Sequence, residues 1–169
     1  MAAADATPPA VPGILRRLAV LPYEGLLLLA LLLIVSFPFA GLKGAALSGW
    51  LHLLFQAYLF GITAAYFTWF WCHGGQTLPM KTWGIRVIQN DGSSLRVRRA
   101  LLRFVYALLF FGPACTALVL LFFPARVSPV IAMWGFLPMV ATLLWARFDA
   151  DRQFLHDRLA GTRQVDARR

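Results

Sequence analysis

Four long apolar blocks dominate the pattern of hydrophobic and polar positions along the chain. Uncharged residues run from Gly25 to Leu42, from Gly44 to Cys72, from Phe104 to Ala125 and from Val127 to Ala146. About 20 helical residues cover the roughly 30 Å hydrocarbon core of a bilayer, and a backbone in lipid must satisfy its own hydrogen bonds. The pattern therefore predicts four transmembrane helices, at about 22–42, 46–71, 104–124 and 128–146.

The connections between these blocks predict two helical hairpins. Lys43 lies near two glycines between the first two blocks, and the segment 124–129, with a proline at each end, separates the last two. Glycine and proline favour such breaks. A polar loop, residues 74–103, joins the hairpins. We expect an all-α membrane domain over residues 16–147, preceded by a disordered cytoplasmic tail, residues 1–15, and continued by a cytoplasmic segment, residues 148–169.

The central loop carries a weaker, β-like pattern. Apolar and β-branched residues alternate over 84–88, a turn sequence follows at 90–92, and the segment 161–165 near the C-terminus resembles the first stretch. Alternation bounded by a turn is typical of a strand. An isolated strand would be marginal, so we predict that 84–88 and 161–165 pair as a short β-ribbon in a cytoplasmic cap.

Composition and charge favour a membrane protein over a soluble one. Apolar and aromatic residues make up 60% of the 169 residues, charged residues make up 14%, and the mean hydropathy is +0.68. A soluble domain of this length could not bury so much apolar surface. The net charge of +9 could indicate nucleic-acid binding, but the basic residues lie between apolar blocks, so we expect no nucleic-acid partner.

The basic residues also predict the orientation of the chain. Two lie before the first block, six in the central loop and six after the fourth block, whereas the opposite side has only Lys43 and Arg126. Cytoplasmic loops are enriched in Lys and Arg. Both termini and the central loop are therefore predicted to be cytoplasmic, with the bilayer as the main partner.

Glu24 is the most informative polar residue, because it opens a long apolar run. A charge in hydrocarbon costs on the order of 3 kcal/mol, and intramembrane ionisable residues are often functional. Arg17 lies two helical turns earlier and on the same side, but too far along the axis for a direct pair. We therefore expect Arg17 and Glu24 to find partners on other helices or in the cap. Glu24 is either a transport site or an interfacial carboxylate held by a basic neighbour.

Pro22 bears on where the first helix begins. A helix beginning at Arg16 would lose a backbone hydrogen bond at Pro22 and bend. A helix beginning at Pro22 would have proline in its favoured first turn and Glu24 near the positive end of the helix dipole. The second arrangement is simpler and is our prediction, with Arg17 in a flanking segment.

His156 and Asp157 form the other polar pair of interest. Histidine titrates near neutrality, so the pair could relay protons, although capping and ion pairing are more common roles and are the ones we favour. No metal site is predicted, because the cysteines and the other histidines are not spaced along the chain as metal ligands are; these residues are Cys72, Cys115, His52 and His73. Without a phosphate loop or nucleophile motif, we expect neither a cofactor nor enzymatic activity.

Three segments carry a family resemblance. They are residues 16–24 (RRLAVLPYE), residues 75–87 (GQTLPMKTWGIRV) with the following Asp91-Gly92 and Arg103, and residues 155–162 (LHDRLAGT). In this order and spacing they resemble the RDD family of bacterial membrane proteins. The chain departs from the family pattern in having Glu24 in place of the usual aspartate, and in having Pro22 and Pro79.

The resemblance implies a multi-pass protein of the bacterial inner membrane. Cation/proton exchange has been suggested for some members, and others resemble accessory subunits of membrane assemblies. Our leading hypothesis is a transport-related protein in which Arg17, Glu24 and Asp157, with His156 beside them, form a charged cluster at the cytoplasmic mouth of the bundle. The alternative is a non-transporting scaffold in which the same residues lock the cap. Four helices are few for a pathway, so we expect a homo-oligomer or a membrane-protein partner.

Overall fold

The computed structural model describes residues 10–40, 49–122 and 129–168 of the chain. In chain order its elements are α1 (Ile14–Ser36, extended by a 3-10 turn at Phe37–Phe39), α2 (Trp50–Cys72), α3 (Leu78–Thr82), β1 (Ile85–Gln89), α4 (Val97–Phe122), α5 (Pro129–Trp134), α6 (Leu137–Phe148), α7 (Leu155–Ala160) and β2 (Thr162–Asp166).

Three helices within the described ranges, α1, α2 and α4, are long and apolar enough to cross a bilayer. Their outward faces carry large apolar side chains, among them Leu26, Leu33 and Leu109, each more than 60% exposed. Soluble proteins rarely leave apolar surface of this extent open to water. These faces suit lipid, in agreement with the first three predicted spans. The hairpin turn predicted around Lys43 lies outside the described residues, as does the one predicted at 124–129 except for Pro129, which begins α5.

The first helix begins earlier than predicted. The prediction that it begins at Pro22 is wrong, because α1 begins at Ile14 and has Pro22 in its interior. Tertiary contacts fix the turns before the proline: the Arg16 guanidinium donates to the carbonyls of Trp83 and Gly84 at 2.6 and 2.7 Å. Proline in a membrane helix is tolerated where neighbouring groups compensate for the lost hydrogen bond.

The start of the chain is also tied to its end. Arg16 forms a two-nitrogen ion pair with Asp166, at 2.5 and 2.9 Å, and the Asp166 N–H donates to the Ala10 carbonyl at 2.7 Å. The hydrogen bond and charge of Arg16 hold the pKa of Asp166 well below its usual range. Of the predicted tail, residues 1–15, only 10–15 are described, and the last two of these already belong to α1.

The fourth predicted span, residues 128–146, is not confirmed as one continuous helix. The described residues form α5 and α6 instead, with a break at Gly135 and Phe136. Pro138 lies in the first turn of α6, where its missing N–H removes no helical bond, so it favours a fresh start there. The 12 residues of α6 extend only about 18 Å.

The cap consists of α3, β1, α7 and β2. The predicted β-ribbon is confirmed: β1 and β2 pair antiparallel, with Ile85 opposite Asp166 and Gln89 opposite Thr162. Ile85 and Val87 point into an apolar core that includes Trp71 from α2 and Phe104 from α4. The cap thus packs on the ends of two long helices and brings the start of α1, the central loop and the C-terminal segment together.

Candidate functional site

Glu24 is buried between α1, α2 and the start of α3. Its side chain is 7% exposed, and its two carboxylate oxygens accept hydrogen bonds from the Tyr66 hydroxyl at 2.9 Å and the Thr77 hydroxyl at 2.6 Å. Thr77 is held in place because it caps α3, accepting from the Met80 N–H. Among the described residues, no Lys, Arg or His forms an ion pair with Glu24. The carboxylate is therefore held by two hydroxyls and not by an ion pair with a basic side chain of the described residues.

Arg17 is also buried, but it has a different set of neighbours. Its Nη2 donates to the Arg152 carbonyl at 2.7 Å, and its guanidinium lies 4.2 Å from the centre of the Phe154 ring. Its Nε and Nη1 are buried and have no hydrogen-bond partner within the described part of the chain. Arg17 therefore contributes a positive charge with unused donors at the junction of α1 and the cap.

Asp157 is completely buried and forms an ion pair with Arg103 of α4. The Arg103 Nε donates to Asp157 Oδ1 at 2.8 Å, and the Gln164 amide donates to Oδ2 at 2.8 Å. Burial alone would raise the pKa of Asp157, but the charge of Arg103, aided by His156, Gln164 and Arg17, outweighs burial and lowers it. Asp157 is thus a fixed anion that connects α4, α7 and β2.

His156 lies beside this pair in an aromatic pocket. Its ring stacks on Phe154 and meets the edge of Phe111, and its Nε2 is 3.5 Å from an Asp157 oxygen. Burial lowers the pKa of His156 to about 4, since the attraction of Asp157 is largely offset by the nearby Arg103 and Arg17. His156 is consequently neutral at pH 7.

One large cavity connects these groups. It has a volume of about 1090 Å³ and is lined by α1, α2, α4 and the cap, including Arg17, Glu24, Arg103 and His156. Most of its remaining wall is apolar. The structure thus places three of the four predicted site residues on one cavity wall, with Asp157 bonded to Arg103 of that wall.

The predicted residues do not form a single ion-paired cluster. Within the described ranges no ion pair joins any two of Arg17, Glu24 and Asp157. Asp157 forms its ion pair with Arg103, while Glu24 accepts hydrogen bonds from two hydroxyl groups. The expectation that Arg17 and Glu24 find partners on other elements is confirmed. Four partner residues were not identified from the sequence: Arg103, Thr77, Tyr66 and Gln164. Arg103 and Thr77 lay in motif segments and could have been singled out, but nothing distinguishes Tyr66 from the other aromatics of α2.

The chemistry available to this site is that of oxygen ligands and protons. A carboxylate flanked by two hydroxyls can bind a proton, or a hard cation through the same oxygens. Elsewhere in residues 10–40, 49–122 and 129–168, no group of three His, Cys, Asp or Glu side chains is placed to hold a metal ion.

Apolar helices suited to lipid, a small α/β cap and buried charges at their junction are typical of a helical membrane protein. The chain belongs to the RDD family, whose sequence model matches residues 11–161. No curated protein and no solved structure matches the chain.

Proposed function

We propose that the protein exchanges protons for a cation across the bacterial inner membrane, with Glu24 binding the two in turn. The observation that carries this proposal is the environment of Glu24: a buried carboxylate on a cavity wall, bonded to two hydroxyls and to no basic side chain among the described residues. An ion-paired carboxylate stays ionised, whereas an unpaired carboxylate can bind a proton and exchange it for a cation. The RDD resemblance points the same way, since exchange has been suggested for some members.

The proposal includes four membrane crossings. α4 begins at Val97 beside the cap and ends at Phe122, about 37 Å away by helical rise. Asp157 nevertheless bonds to Arg103 near the beginning of α4. The chain between Phe122 and Asp157 must return along that length, and both α5 and α6 pack against α4. A broken fourth crossing through α5 and α6 meets this requirement, because membrane helices can be interrupted where neighbours cover the break.

The same arrangement orients the protein. An even number of crossings brings both termini to the side of the central loop, and the excess of Lys and Arg there favours the cytoplasm. We expect the pathway to need a homo-oligomer or a membrane-protein partner, because four helices are few for a complete pathway across the bilayer. The role proposed is neither enzymatic nor dependent on nucleic acid.

The competing proposal is a non-transporting scaffold or accessory subunit. The buried Arg103–Asp157 pair favours it, because this pair fastens the cap to α4, which is the role that a scaffold needs. Both proposals are compatible with that pair, but they differ on Glu24. In a scaffold, Glu24 needs only to accept hydrogen bonds, whereas in an exchanger it must also bind and release a proton.

Proton flux in proteoliposomes distinguishes the two proposals. The purified protein is reconstituted with an internal pH-sensitive dye, and a sodium or potassium gradient is imposed. We expect flux above that of empty liposomes for the native chain, and none for Glu24→Gln, which keeps the size and one acceptor oxygen but cannot ionise. Asp151→Asn is the matched control, because Asp151 is an exposed carboxylate outside the cavity.

Each result of this flux assay tests one part of the proposal. Native protein without flux, under either cation, would favour the scaffold. Flux that survives Glu24→Gln would remove Glu24 from the mechanism while leaving transport in place. Loss of flux in both Glu24→Gln and Asp151→Asn would indicate a general sensitivity to carboxylate removal and would contradict the assignment of Glu24.

A further inference from the structure

The large cavity is polar at one end and apolar along the rest of its length. Along α4 its lining runs from Arg103 to Leu120, which is about 25 Å of helix. Leu28 of α1 and Phe67 of α2 contribute to the apolar part of the wall. A cavity of about 1090 Å³ with this shape is long enough for a hydrocarbon chain and far larger than a small ion needs.

The polar end of the cavity carries one arginine without an ion-pair partner among the described residues. The charged side chains of the lining are Arg17, Arg103 and Glu24, but Arg103 is already paired with the buried Asp157. Both oxygens of Glu24 are already occupied by hydroxyl donors. Arg17, only 3% exposed, has two buried nitrogens without an acceptor in the described part of the chain. Buried donors are normally satisfied, so an oxyanion beside Arg17 would supply a group that the described residues lack.

The depth of Arg17 fits a lipid headgroup. Its bond to the Arg152 carbonyl ties it to the segment just before α7, at the cap end of the bundle. The apolar part of the cavity extends away from the cap, in the direction that an acyl chain takes from its headgroup. An inorganic anion would satisfy Arg17 but leave the apolar wall uncovered, and a zwitterionic lipid would bring a second positive charge close to Arg17.

We propose that this cavity binds a membrane lipid with an anionic phosphate headgroup, seated beside Arg17, with one acyl chain along α4. The proposal goes beyond ion exchange and does not depend on it. A protein that transports nothing could carry the same lipid, and an exchanger could lack it.

Native mass spectrometry of the protein released from nanodiscs tests the proposal. The discs contain equal amounts of phosphatidylglycerol and phosphatidylcholine, and the relative abundance of the first retained lipid is measured. For the native chain we expect one retained phosphatidylglycerol. Arg17→Gln should lower its preference over phosphatidylcholine by about fivefold, the effect of one basic residue near an anionic headgroup. Arg17→Lys keeps the charge and should retain most of the preference.

Two control variants separate a site from general attraction. Arg147→Gln removes an exposed basic residue that does not line the cavity, and it should change the preference less than twofold. Thr116→Trp places a bulky ring in the apolar part of the cavity, in the path of an acyl chain along α4, and should abolish retention of both lipids, whereas Val119→Trp, on the same helix but outside the lining, should retain them.

Three results would overturn the proposal. Equal losses for Arg17→Gln and Arg147→Gln would mean that the surface charge, not a site, selects the lipid. Retention unchanged by Thr116→Trp would mean that the lipid lies elsewhere. Displacement of the retained lipid by millimolar inorganic phosphate would mean that Arg17 binds a free anion.

Discussion

Replacing Asp157 with asparagine removes the negative charge at the centre of the cap while keeping the side chain's shape. Asp157 is fully buried and its partner Arg103 is 5% exposed. Water therefore cannot solvate the Arg103 charge that remains after the substitution. Breaking a buried ion pair by removing one partner typically costs about 3–5 kcal/mol. Asparagine can still accept one hydrogen bond, so we expect a loss near the lower end, about 3 kcal/mol in the free energy of unfolding.

Unfolding by sodium dodecyl sulfate in mixed micelles, followed by far-ultraviolet circular dichroism, measures this loss. The matched control is Asp151→Asn, since Asp151 forms a 2.5 Å ion pair with Arg158 but is 63% exposed. Exposed pairs contribute about 0–1 kcal/mol, so this variant should be nearly neutral. A double-mutant cycle with Arg103→Leu should give a coupling of at least about 2 kcal/mol. If Asp157→Asn costs no more than Asp151→Asn, the pair does not hold the cap to α4.

Two further properties follow from the cap. Because burial lowers the pKa of His156 from an ordinary value near 6.5 to about 4, the unfolded chain binds the additional proton first as the pH falls. The free energy of unfolding is therefore highest above about pH 6.5 and should drop by about 2 kcal/mol between pH 7.5 and 5. Asp157, whose pKa is lowered, stays ionised over this range. His156→Phe should flatten the pH dependence, and an equally steep fall in that variant would contradict the assignment to His156. Gly161 ends α7 with φ +67°, and a Cβ there would meet the Arg99 guanidinium, so Gly161→Ala should cost about 1–2 kcal/mol in the same unfolding assay. Gly74→Ala, where a Cβ meets nothing within 4 Å, should be neutral, and equal effects of the two substitutions would refute the conformational argument.

The parts of the fold that follow from local pattern were predictable. Uninterrupted apolar runs locate α1, α2 and α4, and the alternation over 84–88 with its partner at 161–165 predicts the β-ribbon. These signals are local, because the helical rise and the pleat impose their periods on consecutive residues. The beginning of α1 was not predictable in this way. Its first turns depend on Arg16 contacts with Trp83 and Gly84, more than 60 residues away.

The candidate site was predictable in its residues but not in its pairing. Glu24 stands out because charge is costly where the chain is otherwise apolar, and that cost requires compensating partners. Asp157 stands out by its pairing with His156 and by its place in the segment 155–162. Which partner each finds depends on how helices pack. Arg103 was one of six basic residues in the central loop, and only the closeness of α4 to α7 brings it to Asp157. Tyr66 carries no local signal at all, since α2 contains many aromatic residues.

Infrared difference spectroscopy of the reconstituted protein tests most directly whether Glu24 exchanges a proton for a cation. Spectra are recorded in membranes before and after addition of sodium or potassium at fixed pH, for the native chain and for Glu24→Gln. We predict that the cation removes a protonated-carboxyl band in the native protein and that Glu24→Gln shows no such change. A native protein without the band change, or the same change in Glu24→Gln, would contradict the exchange of a proton for a cation at Glu24.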